Sequence, residues 1–430
     1  MKLFGTMQIN NNELEIGGVN TLLLAKQYGT PLYVLDEKLI RETCRKFKVY
    51  FKNNDNVAYA SKALSTVNLL KIINEEGMYL DVVSGGEIYL AYVSKFPMNK
   101  LIFHGNNKSF EELELAVRLN VGIIVIDNFY EMELLDHICK KYNKVQKVFI
   151  RVAPGIEAHT HKYIKTGQND SKFGFPMVKD IAIKAVDMVI NYYNNFNLLG
   201  VHCHIGSQIF DVKPYTDAIN IMFDFIKNIK DRFGYVIKTL DLGGGFGVYY
   251  TEGDKPCEID DYCKAILKQV NICCNKLKLL RPNILIEPGR SIVANAGITL
   301  DKVGAIKDIP GIRKYVSVDG GMTDNIRPSL YEAKYEAILC NKVTDSFLEE
   351  IRICGKCCES GDVLIDSVKM PVCKSGDIIA VMSTGAYCYS MSSEYNKLLK
   401  PAMVMVNEGK SRLIIKREKY EDLIRSEGLK

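Results

Sequence analysis

From about residue 57 to residue 290, strand-like apolar runs alternate with stretches whose apolar positions recur at helical spacing. The strand-like runs are "VAYASK" (57–62), "MYLDVVS" (78–84), "LIFHG" (101–105), "GIIVIDN" (122–128), "KVFIRVAP" (147–154), "LLGVHCHIG" (198–206), "TLDLGGG" (239–245) and "ILIEPGR" (284–290). The intervening stretches include "SFEELELAVRL" (109–119) and "DIAIKAVDMVINYY" (180–193). Near-continuous apolar strands separated by helices predict parallel strands covered by helices. Eight is the number that closes a (β/α)8 barrel, so the predicted fold class is α/β, a TIM barrel. The pattern alone leaves an open doubly wound sheet as the alternative.

Beyond residue 290 the pattern changes to short, turn-punctuated β runs such as "YVSVDGG", "VLIDSVKM", "GDIIAVMSTGAY" and "RLIIK". These predict a second, all-β domain of sandwich or barrel type. The first 29 residues also read as strands and are expected to join it. The predicted division is a barrel over 30–290 and a β domain from 1–29 plus 291–430.

Each predicted barrel strand carries polar or glycine residues at its carboxyl end: Lys62, Asp81 and Ser84, His104, Asp127, Arg151, His202 and His204, Gly243, Gly244 and Gly245, then Glu287 and Arg290. In a barrel these ends converge on one mouth, where active sites are built. Strands also end at the surface, which accounts for polarity but for no particular chemistry. The set here is chemically selective.

Composition narrows the function classes. A chain of 430 residues, 47% hydrophobic and 25% charged, has the make-up of a soluble globular protein of two domains. Its net charge of +5 is small and its Lys and Arg are evenly spread, which argues against a nucleic-acid footprint. No run of about 20 apolar residues predicts a transmembrane helix, and the start "MKLFGTMQINNNELEIGG" lacks a signal-peptide core, so a cytoplasmic location is expected. The 13 cysteines lack zinc-site spacing and read as free thiols, so no metal is expected.

Four features carry chemistry. Lys62 places an amine where a strand stops, and lysine is a poor strand former rarely left buried unpaired. "LDLGGGFG" follows a strand with bare backbone, a tight turn or an anion cradle. It matches neither the dinucleotide fingerprint nor the P-loop, so a single phosphate fits better than a nucleotide. In "HCHIGSQ", His202 and His204 alternate, so only one readily faces the mouth, the other being a core histidine; Ser207 follows as a donor. "IEPGR" sets Glu287 three residues before Arg290, either a plain salt bridge or a carboxylate for a ring nitrogen beside a guanidinium for an anion. Together these meet the requirements of pyridoxal 5'-phosphate: an amine, a phosphate cradle, a pyridinium partner and a flat side chain against the ring.

The segments "YASKALS", "DVVSGGE", "FHGNNKS", "SKFGF", "HCHIGSQ", "DLGGGFGVYY", "EPGRSIVANAG", "DGGMTDNIRPSLY", "CESGDVL" and "GAYCYSMSSEYN" span nearly the whole chain in order. In them the sequence resembles the barrel-type (fold type III) pyridoxal-phosphate-dependent decarboxylases of basic amino acids, most closely the branch acting on diaminopimelate. The resemblance implies that Lys62 holds the cofactor covalently, with Asp81 at the cofactor site. It implies that His204 stacks on the pyridine ring and that Glu287 pairs with the ring nitrogen. Ser207, the Gly243, Gly244 and Gly245 amides and the backbone near Gly289 would hold the phosphate, with Arg290 and Tyr387 close by. Arg290, Arg327, Tyr331, Glu359 and Tyr387 would bind the substrate, and Cys358 would return the proton that replaces the lost carboxylate. Cys358 and Glu359 reach the site from the neighbouring subunit in this family, which implies a head-to-tail homodimer with shared sites. No nucleic acid or membrane partner is expected.

Substrate charge then discriminates within the family. A substrate with a distal carboxylate and ammonium suits Arg290, Arg327 and Glu359, whereas ornithine or arginine would leave two buried guanidiniums uncompensated. The rival readings are a decarboxylase of ornithine, arginine or carboxynorspermidine, a non-catalytic regulatory homologue, and a racemase; Lys62 with Cys358 argues against the second and "CESGD" against the third. Four positions depart from the family pattern: Glu332 and Tyr335, where glycine and histidine are expected, Lys356 for proline and Glu394 for asparagine.

Overall fold

A computed structural model describes residues 2–155 and 170–428. The chain falls into two compact units, one of Thr43–Gly247 and Lys255–Gly289, the other of Met1–Glu42, Val248–Asp254 and Arg290–Lys430. The first is a closed parallel barrel. Its strands are β1 (Asn56–Ala60), β2 (Tyr79–Val82), β3 (Leu101–Phe103), β4 (Ile123–Ile126), β5 (Gln146–Ala153), β6 (Phe196–His202), β7 (Thr239–Asp241) and β8 (Asn283–Ile286). Each pairs in parallel with the next, and β8 closes on β1 with Leu285 opposite Asn56 and Ile286 opposite Val57. All eight predicted runs are strands, and the barrel alternative stands over the open sheet. Ala58, Ile102, Val125, Phe149 and Leu285 meet as one buried cluster, so the interior is packed rather than hollow.

Helix starts fix where the strand exits turn. Thr66, Ser84, Ser109 and Asn128 each accept a backbone N–H of the first helical turn through the side chain. Ser109 and Glu112 form a reciprocal capping box. Each cap contributes about 1 kcal/mol and anchors the loop leading from strand to helix. The predicted helices appear as Phe110–Arg118 and Ile181–Asn191.

The second unit is built on a largely antiparallel sheet whose long strand Gly297–Ile309 pairs with Leu32–Asp36, Arg313–Val318 and Ile378–Val381. Its core gathers Leu14, Ile16, Leu24, Leu32, Val34, Ile298, Leu300, Ala380 and Val404. Two features differ from the sequence reading. Leu32–Asp36 pairs in this sheet, so a barrel drawn from residue 30 starts too early. The N-terminal strands give way to a helix, Thr21–Tyr28, because Asn20 accepts the amides of Leu22 and Leu23 as its cap. Among the described residues no helix is long and apolar enough to cross a membrane.

One core position of this unit has a measurable cost. Asp301 is 1% exposed, and its Oδ1 has no hydrogen-bond partner among the described residues. Burial, then the neighbouring Asp324, Asp319 and Asp362, pushes its carboxyl well above the ordinary range; burial and Asp319 push Asp324 up to about 7. The unfolded chain releases the Asp301 proton near pH 4 and the folded chain holds it, so stability falls as pH rises from about 4. Asp301→Asn cannot ionise. It is expected to raise the thermal midpoint at pH 7–8 by a few degrees, about 2–4 °C per kcal/mol of a gain on the order of 1–3 kcal/mol, and to leave it unchanged near pH 4. Thermal melts across that range decide it; a lower midpoint at pH 8 would refute the assignment.

Candidate active site

In the barrel, the polar strand ends form one connected group. The Ala60 amide donates to the Pro288 carbonyl at 3.1 Å, tying the exit of β1 to that of β8. Lys62 follows on the short turn Ser61–Ala63, and its Nζ lies 2.9 Å from Asp81 Oδ2 at the end of β2. The lysine side chain is 41% exposed while its carboxylate partner is wholly buried. The amine is thus oriented by a buried charge and remains reachable. Glu87, whose Oε2 accepts the Val83 amide at 2.7 Å, lies in the same electrostatic neighbourhood; burial first, and Asp81 next among the groups acting that way, raise its carboxyl.

Glu287, just past β8, is enclosed by two histidines. His104 Nε2 is 2.7 Å from its Oε1, and His202 Nε2 is 3.4 Å from its Oε2. Burial alone would raise the Glu287 carboxyl, but His104 and His202 outweigh it and hold the group well below the usual carboxylate range. Asp241 goes the other way: burial and the adjacent Glu287 keep its carboxyl well above its ordinary value. Two buried carboxylates side by side cannot both ionise freely, and the histidines select Glu287 as the anion. Burial depresses His202 to about 3, so its ring is neutral. His204 is also pushed well down, by burial first and then by Lys62 and Arg151.

The glycine turn is stitched to the loop bearing Ser207. Ile209 N–H donates to the Gly245 carbonyl and Gly247 N–H to the Ile209 carbonyl, each at 3.0 Å. Tyr215 stacks on Phe246 at 5.2 Å and donates to the Gly244 carbonyl, and Tyr262 donates to the Ile209 carbonyl. A Cβ on Gly244 would stand 2.2 Å from the Glu287 carbonyl oxygen, and one on Gly289 2.9 Å from the Ala60 methyl, so only glycine lets these strand exits close.

Not every expectation for this group survives. The Gly243 amide donates to Asp241 Oδ1 at 2.9 Å and the Gly244 amide to His204 Nδ1 at 3.3 Å, so two of the three expected phosphate donors already serve the protein. The expected opposition of the two histidines also fails, because residues two apart on a strand share a face. β6 ends at His202, which turns to Glu287, and His204 lies beyond the strand, half-buried. Residue types alone assign His104, Asp241 and Glu87 no role. His104 stood among the polar strand ends, which was the available signal.

In the β unit a second cluster forms around two buried guanidiniums. Arg290 Nη1 donates to the Tyr250 hydroxyl at 2.6 Å, with its Cζ 4.7 Å from the Tyr387 ring centroid. Arg327 begins the helix Arg327–Tyr331, donates to the Tyr335 hydroxyl, and lies 5.0 Å from the Tyr250 ring centroid. Tyr335, a departure from the family pattern, also meets Cys388 Sγ at 3.6 Å. Tyr387 adopts φ +63, a left-handed backbone costly for an aromatic residue and frequent at functional sites. Cys358 and Glu359 sit on an exposed turn, where the Cys358 amide donates to Asn396 Oδ1 at 2.7 Å and Ser329 Oγ donates to the Gly361 carbonyl at 2.7 Å.

The barrel group suits pyridoxal phosphate: a reachable amine, a carboxylate kept ionised, an uncharged imidazole and a glycine turn that a side chain would fill. Comparisons with known proteins agree. Residues 37–294 match the family described as "Pyridoxal-dependent decarboxylase, pyridoxal binding domain". The chain is 52% identical to the diaminopimelate decarboxylase of Bacillus methanolicus over 97% of its length and 98% of that protein's. It is 49% identical to the Bacillus subtilis (strain 168) enzyme over 99% and 98%. Among solved structures, the M. jannaschii diaminopimelate decarboxylase superposes with a TM-score of 0.93 at 34% identity, covering 99% of this chain and 98% of that one. The Helicobacter pylori diaminopimelate decarboxylase complexed with L-lysine gives 0.87 at 33%, covering 95% and 100%. A chain alike at this level from end to end belongs to the diaminopimelate decarboxylase family of pyridoxal-phosphate-dependent decarboxylases.

Proposed function

We propose that this chain removes one carboxylate from meso-2,6-diaminopimelate, giving L-lysine and CO₂, the closing step of lysine biosynthesis. The observation that carries the substrate is the pair of buried arginines donating to tyrosine hydroxyls. Arg327 meets the neutral Tyr335 and stays a full positive charge for a distal carboxylate. Bound pyridoxal phosphate supplies the electron sink for the carbanion left by CO₂ loss. The protein's part is positional. Lys62 presents its amine against Asp81. Glu287, kept anionic, would face the ring nitrogen. His204 would lie against the ring, and Ser207, Gly245 and the backbone near Gly289 would take the phosphate. Arg290, Arg327, Tyr331, Tyr387 and Glu359 select the substrate's far end, and Cys358 delivers a proton to the reacting carbon.

The exposed positions of Cys358 and Glu359 support a head-to-tail homodimer in which each serves the partner's cofactor. Thirteen free cysteines, most of them buried, suit a reducing cytosol.

A substrate panel tests the reading. Purified holoprotein given meso-diaminopimelate, ornithine and arginine separately is expected to release CO₂ and lysine from the first, at least about 100-fold faster than CO₂ from the others, since buried guanidiniums left uncompensated cost several kcal/mol. Turnover of ornithine or arginine without turnover of diaminopimelate would overturn it.

A further inference from the structure

Two buried carboxylates at the barrel mouth, Asp81 and Glu287, flank one histidine, which bonds the second. Asp81 accepts from Lys62 Nζ at 2.9 Å through Oδ2, while its Oδ1 lies 3.9 Å from His104 Nε2. The same nitrogen stands 2.7 Å from Glu287 Oε1. His104 itself is 4% exposed at the exit of β3, its ring edge-on to His202 with centroids 4.8 Å apart. At 2.7 Å between two heavy atoms, one of which carries only acceptors when ionised, the proton on Nε2 is fixed: His104 donates and Glu287 accepts.

We infer that His104 is a positioning residue for Glu287, holding that carboxylate ionised and aimed at the ring nitrogen. The inference rests on the reading of Glu287 as the ring-nitrogen partner.

The geometry favours His104 over its neighbours for this task. His202 approaches Glu287 only at 3.4 Å, and Asp241, crowded against it, opposes its ionisation. Without His104 a carboxylate that is 4% exposed would keep one distant imidazole and one adjacent acid. An anion so placed takes up a proton, because desolvation disfavours the charge and nothing close repays it. A protonated Glu287 no longer stabilises a proton on the ring nitrogen, and the electron sink weakens. The substrate's far end is untouched, so the loss falls on kcat rather than KM.

The experiment compares His104→Leu, which keeps bulk without a donor, and His104→Gln, which restores one, each alone and combined with Glu287→Gln. Apoproteins are titrated with pyridoxal phosphate, the spectrum of the bound cofactor is recorded, and turnover is measured with pyridoxal phosphate and with its analogue carrying carbon in place of the ring nitrogen. His104→Leu is expected to lower kcat about 10–100-fold with little change in KM, and to weaken cofactor binding and shift its visible band in the direction Glu287→Gln does. His104→Gln recovers much of both. The double variant is no worse than Glu287→Gln, and with the ring-carbon analogue the His104 variants match the parent. If Glu287→Gln changes the spectrum while both His104 variants leave it alone, the inference falls and the role of Glu287 stands. If Glu287→Gln itself leaves spectrum and affinity unchanged, the ring-nitrogen reading fails and takes the inference with it. His104→Gln serves as the deciding variant should His104→Leu not fold.

Discussion

Replacing Lys62 by alanine is expected to abolish turnover, by about 10⁴-fold or more, while leaving a folded protein that still takes up pyridoxal phosphate without a covalent bond. Lys62 is the amine placed at a barrel strand exit beside a buried carboxylate, 2.9 Å from Asp81, on a turn of three residues with little freedom to relocate. Its side chain is 41% exposed, so truncation to alanine removes little packing. Arginine is no substitute, being permanently protonated and unable to attack an aldehyde. The direct readout is mass. Borohydride treatment of the holoprotein should add the cofactor to the peptide carrying Lys62, and the variant should gain nothing there. Cofactor mass appearing on another lysine, or turnover within tenfold of the parent, would remove the foundation of the functional reading.

Much of this could be read before any coordinates, and the reasons are physical. Eight apolar runs became eight strands because a strand buried on both faces must be apolar throughout. Lys62, Asp81 and Glu287 were visible because a charged residue ending such a run is costly unless used. The same logic could not assign sheets. "LYVLD" at 32–36 is as buried as any barrel strand, and nothing in five residues, four of them apolar, says which sheet they join. Nor could it assign faces at short strands. β3 and β7 have three residues each, too few for a period, so His104 and Asp241 gave no sign that they converge on Glu287. The glycine turn misled in a different way. Glycine shows that backbone must come close, but not to what, and here two of the amides close on Asp241 and His204. Tyr250 and Tyr335 carried no signal either, because a phenol that holds a guanidinium in place looks like any aromatic core residue until both ends are seen.

Cys358→Ala is expected to lower turnover about 10²–10⁴-fold, the usual worth of a placed proton donor, while the bound cofactor keeps its absorbance and its attachment to Lys62. The thiol is exposed on a turn whose backbone is pinned by Asn396, and alanine there removes no buried contact, so folding should be unchanged. An exposed proton donor serves a water-excluding reaction only if something covers it, and the homodimer proposed above supplies that cover from the partner. Mixing separates this from a donor acting within its own chain. Lys62→Ala and Cys358→Ala proteins, each nearly inactive alone, are dissociated together and allowed to reassociate. Random pairing makes half the dimers mixed, and a mixed dimer with crossed donors has one site with both groups intact and one with neither. Activity should therefore return to about a quarter of the parent's, as the two-fold symmetry of the pairing requires. If each Cys358 served its own chain, every site in the mixture would lack one group and no activity would return. A Cys358→Ala protein as active as the parent would remove the thiol from the reaction altogether, and with it the reason for proposing that the sites are shared.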